Sequence, residues 1–264
     1  MSDLGQHHST ALGLAAPAGL LTGVSTINKF GRAPSGVQTS ATDIWDRADA
    51  TPTQQIWVAP TIARVHQIAS SSGSDDGDPV GVGARTIRVW GLSDWDTAET
   101  SQDLTLNGAT DVATSAYVII YRMRILTWGA TSINVGTITA TADGDGTVTA
   151  AILPGQGQTQ MAIYGVPSVQ NFYMAQYYAS FLKSGGATGS VDVNLLVNTA
   201  PDTELTNFTV KHTAGRISAG TSGQPHRFDP YFKIDGPAIV KMQCVGSTAD
   251  LDVSAGFDGY CITE

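Results

Sequence analysis

Two runs near the end of the chain decide the fold: Ala238-Ile239-Val240-Lys241-Met242-Gln243-Cys244 and Leu251-Asp252-Val253-Ser254-Ala255-Gly256-Phe257. In the first, Ala238, Val240, Met242 and Cys244 share one face, opposite Lys241 and Gln243. In the second, Leu251, Val253, Ala255 and Phe257 oppose Asp252 and Ser254. Side chains that alternate in this way lie on opposite faces of a strand, with the apolar face turned to a core. Gly246-Ser247-Thr248-Ala249 between them has turn composition. The pair therefore reads as a half-buried antiparallel hairpin.

Working outward, the same signals recur. Residues 171–182 carry Phe172, Tyr173, Tyr177 and Phe181, which fit helical spacing about as well as strand alternation. The glycine-rich stretch 183–189 and the alternating Val191, Val193, Leu195 and Val197 favour a strand and a second hairpin. In the first half, strands are expected at 63–70, 84–91, 97–106 and 117–128. Arg122 and Arg124 mark the wetter face of the last of these. Strands at 137–142 and 147–153 flank Asp143-Gly144-Asp145-Gly146, a strong hairpin signal. This makes about a dozen strands and no amphipathic helix.

The expected fold is all-β, with two tandem antiparallel β-sandwich or jelly-roll-like domains. They span 61–155 and 156–264 and are divided at Gly155-Gln156-Gly157-Gln158. Residues 1–60 precede them. Of these, 1–26 read as an extended arm that becomes ordered on a partner. Residues 27–60, with Pro34, Pro52 and Pro60, read as an irregular segment anchored by Phe30, Trp45 and Trp57.

Composition agrees and narrows the function classes. Glycine is abundant at 29 of 264 residues, and only 14% of residues are charged. That suits short strands and tight turns, not long helices. The net charge of −9 repels phosphate backbones, so neither nucleic acid nor an anionic membrane is an expected partner. The apolar stretch 11–24 is broken by Gly13, Pro17, Gly19 and Gly23, which reads as neither a secretory signal nor a membrane span. Cys244 and Cys261 are too few for a disulfide framework and are expected as reduced, buried thiols.

Few residues advertise chemistry. No Gly-x-Ser-x-Gly elbow occurs, and the five histidines are dispersed. Asp75, Asp76 and Asp78, and separately Asp143 and Asp145, look like fragments of calcium loops. Counted from Asp143, however, the position that needs a bidentate acid is Pro154. The expected role of these aspartates is turn formation. Gly81-Val82-Gly83 lacks the third glycine of a dinucleotide fingerprint and leads into a strand. No catalytic residue, metal or cofactor is expected. Asn207-Phe208-Thr209 matches a glycosylation sequon in a chain that is not expected to be secreted. Trp90, Trp95, Trp128, Tyr177 and Tyr178 are the residues from which a sugar platform could be built, although such aromatics more often serve packing.

Several ordered blocks carry a resemblance. They are Lys29-Phe30-Gly31-Arg32, Asp43-Ile44-Trp45-Asp46, the run from Gly83 to Leu92, Thr105-Leu106-Asn107-Gly108-Ala109-Thr110, Tyr121-Arg122, Gly136-Thr137-Ile138-Thr139 and the run from Asp252 to Gly259. In this order they resemble a family of virion structural proteins of tailed phages from marine and environmental bacteria, over residues 27–264. Ser93 and Trp95 depart from the family's usual Asp and Tyr, and residues 1–26 have no counterpart in it. The resemblance implies a non-enzymatic virion component made in the host cytoplasm. A capsid decoration (cement) protein is the first expectation, a homo-oligomer such as a trimer bound to the major capsid protein or other virion proteins. A neck, tail or fibre-base component, or a host-carbohydrate-binding module, is the alternative. Phe30, Trp45, Trp57, Trp90 and Trp95 are the expected partner-interface residues.

Overall fold

The computed structural model describes residues 13–47, 54–182, 189–218 and 225–263. Residues 1–12 of the expected arm and the turn at 183–188 lie outside these. The described chain is all-β, with one helical turn at 13–15 ahead of sixteen strands. The first are β1 (Val24–Val37) and β2 (Thr42–Asp43). A middle group comprises β3 (Arg64–Ser70), β4 (Ala84–Leu92), β5 (Thr100–Thr105), β6 (Val112–Tyr117), β7 (Ile119–Trp128), β8 (Ile138–Ala142) and β9 (Val148–Ile152). The last group comprises β10 (Ile163–Val166), β11 (Gln170–Leu182), β12 (Ser190–Asn198), β13 (Thr209–Ser218), β14 (His226–Asp235), β15 (Ala238–Gly246) and β16 (Leu251–Thr263). No helix among the described residues is long and apolar enough to cross a membrane.

The strands form four small antiparallel sheets. Two use the middle group, in the orders β6-β3-β8-β9 and β5-β4-β7, with β7 lying beside β9 and β5 beside β6. The other two are β1-β16-β11-β14 and β10-β15-β12-β13, with β2 added to β15. A single hydrophobic core runs through both pairs of sheets, from Ile68 and Val89 to Phe172 and Phe257.

Residues 24–37, expected as the end of an arm and the start of an irregular segment, are instead a strand. β1 runs along β16 from Val24 opposite Ile262 to Val37 opposite Leu251. Pro34 sits in the bulge between Ala33 and Val37, where the ladder is interrupted and a missing N–H costs nothing. Pro34 and Gly36, which disguised this segment in the sequence, both fall in that one irregularity within a continuous strand.

Both expected C-terminal hairpins are corners between sheets. β15 pairs with β10, β12 and β2, whereas β16 pairs with β1 and β11. Likewise β11 pairs with β14 and β16, while β12 pairs with β13 and β15. The expected long strand at 117–128 also turns a corner. At Val118, whose N–H donates to Leu92 O, the chain leaves the β3 sheet as β6 and enters the β4 sheet as β7. Alternation reports a buried face, but it does not report which strand lies alongside. The turn at Asp143–Gly146 does close a hairpin, with Thr141 opposite Val148.

The expected wet face of β15 is covered. Lys241 is 2% exposed and Asp43 is fully buried. Lys241 Nζ donates to Asp43 Oδ2 at 2.7 Å, Gln243 Nε2 to Oδ1 at 2.9 Å, and the Trp57 backbone N–H to Oδ2 at 2.8 Å. The ammonium also lies 4.0 Å from the centre of the Phe208 ring. Trp57 then reaches the other pair of sheets, where its indole Nε1 donates to Thr149 O on β9 at 2.8 Å. One carboxylate thus fastens β2 to β15 and, through Trp57, to the middle group. Removing one partner of a buried pair strands the other charge, at about 3–5 kcal/mol. Asp43→Ala is therefore expected to lower unfolding stability by about that much in urea titration. Adding Lys241→Met, which removes the stranded cation, should recover part of the loss; no recovery would show that the ion pair is not the origin of the defect.

Candidate functional site

A cleft of about 330 Å³ opens where β1 crosses the β4 sheet, lined by Ile27, Lys29, Trp90, Glu99, Tyr121 and Arg122 among others. Lys29 points inward from β1 and is 7% exposed. Its Nζ donates to the Tyr121 carbonyl and lies 5.4 Å from the centre of the Tyr121 ring. Burial, reinforced by the Arg122 charge and opposed by Glu99, pulls its pKa from 10.5 down to about 7. The Tyr121 hydroxyl donates to Glu99. The Tyr164 ring meets Tyr121 edge-on at 4.8 Å, and the Tyr164 hydroxyl lies 3.4 Å from Cys261 Sγ. Burial pushes both phenols well above 10, and it pushes the Cys261 thiol up to about 12. At neutral pH these groups keep their protons, so the thiol lacks the thiolate character that reactivity requires. Lys29 is the cleft's near-neutral amine, but its hydrogen bond to Tyr121 O aims it at the scaffold.

Five of the seven blocks that carry the family resemblance gather around two other buried centres. At the first, the carboxylate of the fully buried Asp75 accepts four hydrogen bonds. Ala84 N–H and Val135 N–H donate to Oδ1, both at 2.9 Å. Ser70 Oγ and Gly136 N–H donate to Oδ2 at 2.7 and 2.8 Å. Gly108 N–H donates to the Asp75 carbonyl at 3.0 Å. The blocks beginning at Gly83, Thr105 and Gly136 are thus joined by one aspartate. Gly83 must lack a side chain, because a Cβ there would stand 2.2 Å from Asp75 Oδ1. The aspartate singled out as a possible calcium ligand is saturated by protein donors. Asp145, from the other acidic turn, is held by Thr61 and Arg64. No group of metal-ligating residues is found among the described residues.

The second centre joins the Phe30-Gly31 and Asp43–Asp46 blocks. Arg32 Nε donates to Asp46 Oδ1 at 3.0 Å, and Ala162 N–H donates to Ile44 O at 2.9 Å. Burial raises the Asp46 carboxyl to about 6 against the pull of Arg32. A Cβ on Gly31 would lie 2.5 Å from Ala162 N, so this crossing also admits only glycine.

Of the expected interface aromatics, Trp45, Trp57 and Trp95 are buried in this chain's own core. Phe30 and Trp90 are half-buried. The Arg122 and Arg88 guanidinium groups lie 5.1 and 5.7 Å from the centre of the Trp90 ring, which leaves it poorly placed as a sugar platform. Tyr177 is enclosed by His212, His226 and Phe228, with its hydroxyl 2.6 Å from His212 Nδ1. Trp128 alone of the five tryptophans is exposed. Sequence reading passed over Lys29, Asp43 and Lys241 as sites, and considered Asp75 only as a calcium ligand or a turn former. The only signal of Lys29, Asp43 and Lys241 is a charge set beside apolar neighbours, which a solvated strand face shows equally well.

No family model matches this chain, and no curated protein matches it. Among solved structures, it is similar to a viral major capsid protein, the STIV MCP, at 11% identity. That overlay covers 90% of this chain and 96% of the other with a TM-score of 0.22, a level that does not establish a shared fold.

The lowered Lys29 pKa has a defined pH signature. Between pH 7 and 10.5 the unfolded chain holds a proton that the folded chain has released, so stability rises with pH in that window. The cost of burying the charge is fully present below pH 7. Lys29→Met should therefore gain on the wild type as pH falls from 10 to 7, by a few kcal/mol in paired urea titrations. A stability difference that is flat across that range would mean that the Lys29 amine is not desolvated.

Proposed function

We propose that this chain is a non-enzymatic structural protein of a tailed-phage virion. Its most fitting role is as a capsid decoration (cement) protein, a homo-oligomer, such as a trimer, that clamps adjacent capsomers. The carrying observation is where the resembling blocks sit. Five of the seven blocks come together around Asp75 and the Arg32–Asp46 crossing, where their residues tie loops and sheets to one another. What resembles the virion family is therefore architecture. The ionisable groups of the cleft support the same reading: the phenols and the thiol are held protonated, and the amine is tied to a carbonyl. A shell component needs rigidity and contact area, and a continuous core joining four sheets supplies the first.

Quantitative mass spectrometry on purified particles, paired with an image of the intact particle, tests the reading. A decoration protein gives on the order of hundreds of copies spread over the capsid lattice. About a dozen copies or fewer at one vertex would move the chain to the neck, tail or fibre base. Its absence from particles would overturn the virion reading.

A further inference from the structure

A cluster of rings closes one edge of the last group of strands. β13 and β14 are the outermost strands of their two sheets. His212 comes from β13, while Tyr177 and His226 stand opposite one another on β11 and β14 of the other sheet. The two imidazoles meet across the edge with ring centres 4.3 Å apart. Tyr177 stacks on His226 at 5.2 Å, and Phe228 meets both imidazoles edge-on. The Tyr177 hydroxyl lies 2.6 Å from His212 Nδ1, and burial raises the pKa of this phenol, so it keeps its proton and donates. The accepting nitrogen is bare, which makes His212 a neutral imidazole in this arrangement.

The strand that carries His226 is lightly attached at this end. β14 follows β11 from Asp235 to Phe232, and rejoins it with Arg227 opposite Gln176 and His226 opposite Tyr177. Four residues of β14, 228–231, pass between these two stretches, where β11 has only Ala175. The surroundings offer the pair little negative charge. From β11 the facing titratable group is Tyr177, and β12 places Leu195 opposite His212. Lys211 precedes His212 on β13, and Arg227 follows His226 on β14. The carboxylates of the neighbouring strands are engaged elsewhere: Asp192 of β12 with Arg216, Asp235 of β14 with Lys233, and Asp258 of β16 with Gln176 and Asn28. Asp229 is exposed in the unpaired 228–231 stretch.

We propose that the His212–His226 pair is an acid-sensitive latch, which holds the 226–227 end of β14 in place while both rings are neutral and releases it when both are protonated. Two imidazolium ions at this spacing repel, and Lys211 and Arg227 add to the repulsion. A proton on His212 Nδ1 also displaces the Tyr177 hydroxyl from its acceptor. The direction in pH follows from His212, whose pKa is held below its ordinary 6.5 by burial and then by the charge of His226. An opened, hydrated imidazole takes up a proton that the closed latch refuses. Closure is therefore at full strength above pH 6.5 and weakens as pH falls below it. Release leaves the edge of β11 unpaired at Gln176 and Tyr177. The latch is a property of the isolated chain and does not rest on the virion reading.

Hydrogen–deuterium exchange of the full-length protein at about pH 8 and about pH 5, corrected for the intrinsic pH dependence of exchange, tests the latch. Protection of the peptides spanning 225–228 and 175–178 is expected to fall about tenfold or more at the lower pH, with β12 and β15 unchanged. His226→Phe, which keeps a ring without the titration, and His212→Gln, which keeps an acceptor for Tyr177, should each remove most of that difference. Equal protection at both pH values, a loss that persists in both variants, or a loss spread evenly over β12 and β15 would each overturn the proposal.

Discussion

The Asp43 carboxylate is removed from water and surrounded by donors from distant parts of the chain. Lys241 and Gln243 come from β15, and the Trp57 amide comes from a loop that precedes the middle group of strands. A charge buried in this way is tolerated only when its partners are in place, because an unpaired ion in the interior costs several kcal/mol. The fold must therefore bring residues 43, 57 and 241 together before any of them is comfortable. Trp57 extends this constraint into the other pair of sheets through its indole bond to Thr149. Two groups of strands that share no ladder are held in one arrangement by this chain of contacts.

Asp75 solves the matching problem within the middle group. The loops that enter β4 and β8 would each leave backbone N–H groups without partners, and one side chain accepts three of them. A chain with so few charged residues uses them sparingly, and several are interior fasteners. Fully satisfied fasteners of this kind stiffen a structure built from many short strands, whereas a partly satisfied polar network would be worse than none.

Such interior use of polar chemistry bears on function. The cleft beside Lys29 contains an amine, phenols and a carboxylate. Burial keeps the phenols protonated, Tyr121 is bonded to Glu99, and the amine is bonded to a backbone carbonyl. Exposed apolar side chains, by contrast, recur at residues 14–21, at 80–82 and at 126–135. This arrangement supports the structural role proposed for the chain.

The alternation at 238–244 and 251–257 determined by itself that these residues are strands with one buried face, because side-chain direction in a strand is a local property. The Asp143–Gly146 hairpin was legible for the same reason: its turn residues and flanking strands are adjacent in sequence. The cleft and the two aspartate centres were not legible, although Lys29, Asp43 and Asp75 all stood in stretches already singled out. A buried charge is recognised by its partners, and these lie up to 200 residues away. Tertiary structure alone decided that β15 and β16 belong to different sheets, that β1 is a strand, and that the Lys241 face is covered. Pairing and burial depend on which distant surfaces the chain can bring together, and no local pattern encodes that choice.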